Sequence, residues 1–424
     1  MDPSANPAAD GIVLVEDPAV EKLGPVVLLR PAPELVVGAF TLRERVERVS
    51  GLPVVGACLR SRLRGLGLFG GCEERSHGPR LCVSAACLLE REGWAEICSL
   101  APGRILVSDD GRFIAGQLDV NESQSVATSG GSAFLASAAG MLVVAKAARL
   151  LRHWPDLVSA HERLLGADVS EAIGETDLSP VLPSVERGTF VHGTGVFAAE
   201  GVSIEGPVAI DATAGPVLLR KGVSLAPFSR LEGPLLIGEG TRVLGGRVAQ
   251  SYLGPGCLAR GEIASSVLLG WSNKAHEGFL GHSYLGEWVN LGALTTTSNL
   301  KNTYGEILVR LGERFEPSGR VKLGSMIGDH TKTAIGSLLA TGSTIGVGVS
   351  FHGAAGLGPR FVPSFTWGTG PRANEHELAR FLVTAERALA RRGRTLDASQ
   401  REAITRAFEA TAGERHRFLD GERA

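Results

Sequence analysis

One stretch, Trp271 to Thr303, reads WSNKAHEGFLGHSYLGEWVNLGALTTTSNLKNT and holds two histidines, two lysines and four asparagines in a Gly-rich run with no helical period. These residue types suit one kind of chemistry. Imidazole takes up and releases a proton near neutral pH, and Asn side chains or Gly-rich backbone N–H groups stabilise a developing oxyanion. Asn290 lies fourteen residues after His276, and Asn299 nine further on. The plainer alternatives are that His276 is a satisfied groove histidine and that Asn299 and Asn302 cap a turn.

Such side chains need a scaffold, and the flanking sequence specifies one. Ile204 and Ile210 are six residues apart, and Leu219, Leu225, Leu231, Ile237 and Val243 then hold that period without a miss. It returns at Ile327, Thr333, Leu339, Ile345 and Phe351. Six residues per face and three faces per coil stack Leu219 on Ile237 and Ile327 on Ile345, so that an apolar ladder fills each corner of a triangular prism. The 56 glycines and only 5% aromatic residues fit a fold made of tight corners and small stacked side chains. Polar residues in the repeat would line a groove between coils. Between Leu300 and Lys322 the period stops and charge density rises, which predicts a loop protruding from the prism.

Residues 11–150 read as mixed α/β, with strands at Ile12–Val15, Val26–Leu29, Leu81–Val83 and Ile105–Val107 and a helix at Thr41–Val49. A helical linker over 151–188 ends in the Pro-containing break DLSPVLPSVERG, near residue 185. The prism spans 189–370, and 371–424 forms amphipathic helices at Glu375–Arg392 and Asp397–Glu409, the second opened by the capping pattern D-A-S-Q. A formal charge of −2 points to neither nucleic acid nor an anionic membrane surface. The start, MDPSANPAADG, lacks the order of a signal peptide and reads as a frayed tail. Ser123–Ala145 carries no charge, but its apolar part is too short to span a bilayer and reads as a buried helix running on to Leu151. Cys58, Cys72, Cys82, Cys87 and Cys98 lack C-x-x-C spacing and read as buried thiols. His282, His330 and His352 do not form a three-histidine metal site by their spacing.

The repeat resembles the hexapeptide-repeat acyltransferases, whose left-handed parallel β-helix usually assembles as a trimer. Within that group it is similar to the acetyltransferase half of the bifunctional enzymes that acetylate glucosamine-1-phosphate and uridylylate the product. Their pattern is Lys-Ala-x-His-x-x-Tyr-Leu-Gly, an Asn in Asn-Ile-Gly-Ala fourteen residues after the His, and a second Asn nine further on. It is matched here by His276, Phe279-Leu280-Gly281, Asn290-Leu291-Gly292-Ala293 and Asn299. The resemblance implies that His276 is the general base on the acceptor amine, and that Asn290 and Asn299 orient the sugar or acyl donor. It places acyl-CoA along the groove at Gly292 and Ala293. Phe279 replaces the family's Tyr and Ala264 its phosphate-binding Lys, while Pro227-Phe228-Ser229-Arg230 repeats a family motif about one coil early. Lys274, Arg260 or Lys301 would then supply the cation.

Over residues 11 to 400 the chain resembles a divergent branch of that family described as sugar nucleotidyltransferases, through LLRPAPELVVGAFTLRERVE at Leu28–Glu47 and SNKAHEGFLGHSYLGEWVNLGALTTTSNLKN at Ser272–Asn302. The glycines of the nucleotide loop become Pro18-Ala19-Val20 and its lysine becomes Ala32, with Lys22 where the loop Arg would be. Asp109 and Asp110 would hold Mg²⁺ only if that domain is active. The resulting expectation is a trimeric cytoplasmic transferase with an α/β nucleotidyltransferase-like domain, a left-handed parallel β-helix and C-terminal helices. It would use acetyl-CoA or another acyl-CoA on an amino-sugar phosphate or nucleotide-linked sugar, without nucleic acid or membrane partners. The rival readings are nucleotidyl transfer by the first domain and a non-catalytic sugar-nucleotide scaffold.

Overall fold

The computed structural model describes residues 11–67, 79–174, 178–184, 188–354 and 356–421. The expected tail before Gly11, the boundary near residue 185 and Cys72 fall outside these residues. The N-terminal part is built on a six-stranded mixed sheet ordered Val54–Cys58, Ile12–Val15, Arg80–Ser84, Phe113–Leu118, Ile105–Val107 and Leu142–Val144. Ile12–Val15 lies between parallel neighbours, whereas Phe113–Leu118 is antiparallel to both of its own. Helix α1 (Leu42–Ser50) starts at a capping box between Thr41 and Glu44 and stops at Gly51 in the left-handed region. Helix α2 (Arg91–Cys98) follows the third strand in sequence.

Two local expectations fail for identifiable reasons. Val26–Leu29 is not a strand: Pro18, Pro25 and Pro33 sit at the starts of short 3₁₀ turns, where proline's fixed φ and missing N–H suit a turn and not a ladder. The uncharged run after Ser123 is not one helix either. It forms α3 (Val120–Ser129), α4 (Ser132–Ser137), a 3₁₀ turn and the strand Leu142–Val144, because Gly130 and Gly131 both adopt φ near +70° and break the helix between them. Among the described residues no helix is long and apolar enough to cross a membrane. Cys82 and Cys87 are buried, which pushes their thiols up to about 11 and about 12, but Cys98 is exposed.

Helix α5 (Trp154–Gly174) is the hinge of the architecture. Leu157, Val158 and Leu164 pack into the α/β core, while Leu165, Val169 and Ala172 pack on Leu218 and Leu236 of the next part. That part is a parallel β-solenoid, whose longest ladder has nine parallel rungs preceded by one antiparallel strand, Ser179–Pro180. Leu219, Leu225, Leu231, Ile237 and Val243 are all fully buried, and Leu219 pairs with Ile237 and Ile327 with Ile345, as the six-residue period requires. Between these regions the coils are shorter. Leu253 stacks on Ile237 after sixteen residues, Leu268 on Leu253 after fifteen, and Leu285 on Leu268 after seventeen.

The segment from Leu300 to Lys322 does not protrude. It folds into a hairpin, Leu308–Leu311 with Arg314–Pro317, whose Ile307 and Val309 are fully buried in the same core as α5. Arg320 reaches back to Ser159 and Glu162, both at 2.7 Å. Helices α6 (Leu378–Ala390), α7 (Ala398–Ala410) and α8 (Ala412–Leu419) then return along the solenoid. Asp397 and Gln400 form the expected capping box. Phe418 enters the solenoid core, and Ala403 packs on Leu59, Leu63 and Leu66 of the α/β part.

Candidate functional site

Each coil runs through three faces, and His276 sits on the corner between Asn273–Lys274 of one face and Phe279–Gly281 of the next. The side chain is exposed and makes no hydrogen bond among the described residues. Its backbone is held from inside. Lys274 is 1% exposed and occupies a rung of the inward-facing ladder on Ala259. From there its ammonium donates to the carbonyl of Arg260 at 3.0 Å and to the carbonyl of His276. Burial lowers the Lys274 pKa to about 8. The expected phosphate cation is thus an internal brace for the corner, facing away from solvent.

Arg260 lies on the same corner one coil earlier. It donates to Glu277 Oε1 and to the Leu244 carbonyl, each at 2.8 Å, and half of its side chain remains exposed. On the following coil, Leu294 N donates to the carbonyl of Glu277 at 3.0 Å, which seats Gly292, Ala293 and Leu294 next to the His276 corner. The Gly292 N–H is taken by Thr333 Oγ1 at 2.9 Å. Gly278 is required here, since its φ is +123° and a Cβ would lie 2.2 Å from the Thr295 carbonyl.

The two asparagines occupy different places. Asn290 stacks on Asn273 and accepts from its Nδ2 at 2.6 Å. Asn273 Oδ1 is buried with no partner, a feature that sequence spacing alone did not single out. Asn299 lies at another corner, where its Nδ2 donates to His282 Nδ1 at 2.8 Å. That fixes the His282 proton on Nε2, facing Glu162 of α5 at 3.4 Å, and Glu162 is also paired with Arg320. Both ring nitrogens of His282 are engaged, and burial lowers its pKa. Lys301, nearby in sequence, donates to the carbonyl of Glu306. The Phe279 ring packs over Gly281 toward Asn299. A single chain therefore brings together His276, Lys274, Arg260 and the Gly292–Ala293 corner, with Asn290 on the adjoining face, and places Asn299 and Lys301 elsewhere.

In the α/β part, the groups after the first strand neutralise one another. Glu16 is fully buried, accepts from Ala32 N at 2.7 Å and pairs with Arg60 at 2.9 Å. Asp17 pairs with Arg112 at 3.0 Å. Asp109 is bound by Arg152 at the surface and Asp110 by the Ser108 hydroxyl. Lys22 is exposed. Among the described residues no group of three or more His, Cys, Asp or Glu side chains could hold a metal ion.

Known proteins resemble parts of the chain. Residues 12–174, which run through α5, match the family model for sugar nucleotidyl transferase. The chain is 36% identical over 85 residues to a bifunctional sugar-1-phosphate nucleotidylyltransferase/acetyltransferase of Sulfurisphaera tokodaii, covering 20% of this chain and 21% of that protein. It is 30% identical over 151 residues to the bifunctional protein GlmU of Synechococcus elongatus, covering 36% of this chain and 25% of the relative. The matches thus span about a fifth to a quarter of the curated relatives. The chain thus matches the sugar nucleotidyl transferase model over residues 12–174, carries a parallel β-solenoid after them, and is similar over part of its length to bifunctional sugar-1-phosphate nucleotidylyltransferase/acetyltransferases.

Proposed function

We propose that the chain is an acyl-CoA-dependent acyltransferase acting on the amine of an amino-sugar phosphate or nucleotide-linked sugar, with His276 as general base. The observation that carries this reading is an exposed imidazole whose backbone is braced from inside by Lys274 while its ring stays unengaged. His282 is tied at both nitrogens, and His161 and His330 are buried. An acceptor arriving as an ammonium must lose a proton before its nitrogen can attack the thioester. His276 would take that proton, the C–N bond would form as the C–S bond breaks, and CoA would leave as the thiol. Arg260, half exposed on the same corner one coil earlier, supplies a cation for a phosphate, and Asn290 on the adjoining face a polar contact for the sugar. Gly292 and Ala293 line the place for the acyl donor, and a second copy of the chain would complete the groove in a trimer. Asn299 and Lys301, at a different corner, would serve a site only by contributing to a neighbouring copy.

The test is thiol release from acetyl-CoA with glucosamine-1-phosphate or a related amino sugar. His276→Ala should lower the rate by about 10²–10⁴-fold with the circular dichroism spectrum unchanged. An unaltered rate excludes His276 as the base. A second reading, nucleotidyl transfer by residues 12–174, is favoured by the family match but opposed by the internal pairing of Glu16, Asp17, Asp109 and Asp110. Pyrophosphate release from UTP or dTTP with a sugar-1-phosphate would establish it. Nucleotide-sugar binding without either turnover would leave a scaffold.

A further inference from the structure

The α/β part, the solenoid and the C-terminal helices meet around a cavity of about 250 Å³. It lies at the corner after Tyr284–Glu287, one face away from the His276 corner. Arg30 and Glu34 come from the turns before α1, Glu287 and Asp329 from successive coils, and Leu396 and Gln400 from the start of α7. Two features mark it as a site. The first is unspent hydrogen-bonding capacity at deep burial. Asp329 Oδ1 accepts from Arg30 and from Glu287 N at 2.7 Å, yet Oδ2 has no partner although the side chain is only 2% exposed. His330 Nδ1 and Arg30 Nε are likewise unpaired. An unmade bond at a buried polar atom costs about 1–3 kcal/mol, so such a cluster is retained at a cost to folding.

The second feature is the charge balance. Arg30 is the one basic side chain on a wall that also carries Glu34, Glu287 and Asp329. Burial pushes Asp329 up to about 6 even against the pull of Arg30, and holds His330 down to about 3, so the imidazole adds no positive charge. A phosphate would be repelled, and an amine drawn in. Flat aromatic ligands are disfavoured too. Trp288 is stacked on Trp271 at 5.5 Å on one face and on His330 at 6.3 Å on the other, which leaves its edge to the cavity. The volume suits one small ring, since drug-sized ligands occupy about 300–1,000 Å³.

We propose that this junction binds a small unphosphorylated amine-bearing polyol, of which a free hexosamine is the type, with its ammonium on Asp329 Oδ2 and its hydroxyls on His330 Nδ1 and Arg30 Nε. A hydroxyl both donates and accepts, which is what this mixed set demands. The site is separate from the His276 corner and stands whether or not acyl transfer is the activity. Because it joins all three parts of the chain, occupancy stabilises their mutual docking.

The test is calorimetric titration of the full-length protein with D-glucosamine, alongside glucose, glucosamine-1-phosphate and putrescine. Glucosamine should bind saturably and raise Tm. Affinity should fall at least about tenfold in Asp329→Asn and in Leu396→Trp, which fills the cavity from a half-buried position without touching the Arg30–Asp329 pair, and should be unchanged in His276→Ala. Glucose and glucosamine-1-phosphate should each bind at least about tenfold more weakly at the Leu396-sensitive site. Absence of saturable binding, indifference to Leu396→Trp, putrescine binding as tightly as glucosamine, or a soaked crystal holding only water there would each overturn the assignment.

Discussion

Replacing Lys274 by methionine separates the two roles this buried lysine plays. Methionine nearly conserves volume and fits the apolar ladder above Ala259, so packing changes little. The ammonium lost is the one that donates to the carbonyls of Arg260 and His276. In the folded protein Lys274 titrates at about 8, because burial disfavours its charged form, against an ordinary value of 10.5. Between these values the unfolded chain binds a proton that the native protein has released. Wild-type stability therefore rises with pH through that window, and levels off at its lower value once pH drops below the folded value, where both states hold the proton. From pH 7.5 to pH 10 this single group contributes about 2.5 kcal/mol, at roughly 1.4 kcal/mol per unit. Methionine cannot titrate. Urea unfolding of both proteins, followed by tryptophan fluorescence at the two pH values, should show the wild type gaining about 2 kcal/mol or more over the variant on going alkaline. Thiol release by the variant should fall at pH 7.5, because the His276 carbonyl has lost its brace. Parallel pH dependences of stability would refute the buried ammonium, and an unchanged rate would refute the brace.

Other outcomes follow from the same geometry. Gly278→Ala forces a Cβ to 2.2 Å from the Thr295 carbonyl at φ +123°, and should cost about 3 kcal/mol or more in chemical denaturation while abolishing thiol release. Acidification from pH 7 to pH 4 should destabilise the wild type by about 3 kcal/mol more than His161→Leu, because His161 is fully buried and held to about 4, so that the unfolded chain takes up a proton the native one refuses. Arg320→Ala removes the links to Ser159 and Glu162, and should speed limited proteolysis within residues 301–320 with little change in Tm.

The solenoid was legible where its coils are eighteen residues long, because Leu219 and Ile237 then repeat in phase. It was illegible between Val243 and Leu291, where coils of fifteen to seventeen residues shift the phase at every turn. That shift hid the inward direction of Lys274, which a reader of spacing takes for a surface cation. The helix start at Asp397 was readable from side-chain capping chemistry, and that at Thr41 from apolar spacing, with its own capping box seen in the structure. The proline turns after Asp17 and the paired glycines at Gly130–Gly131 outweighed local hydrophobicity. The partner of Asn299 was out of reach of any local rule. His282 is its neighbour across a coil, but the group fixing that histidine, Glu162, lies on α5 some 120 residues earlier.

The long ladder also has two ends. A stack of parallel rungs exposes unpaired N–H and C=O groups wherever it stops, and an identical stack from another molecule could continue it. Ser179–Pro180 closes one end by pairing in the opposite direction to every rung that follows, with a proline that cannot donate. Toward the other end, Phe418 of α8 is driven into the solenoid core. The C-terminal helices thus serve as a stopper against fibre-like growth, and keep the repeat at a fixed length.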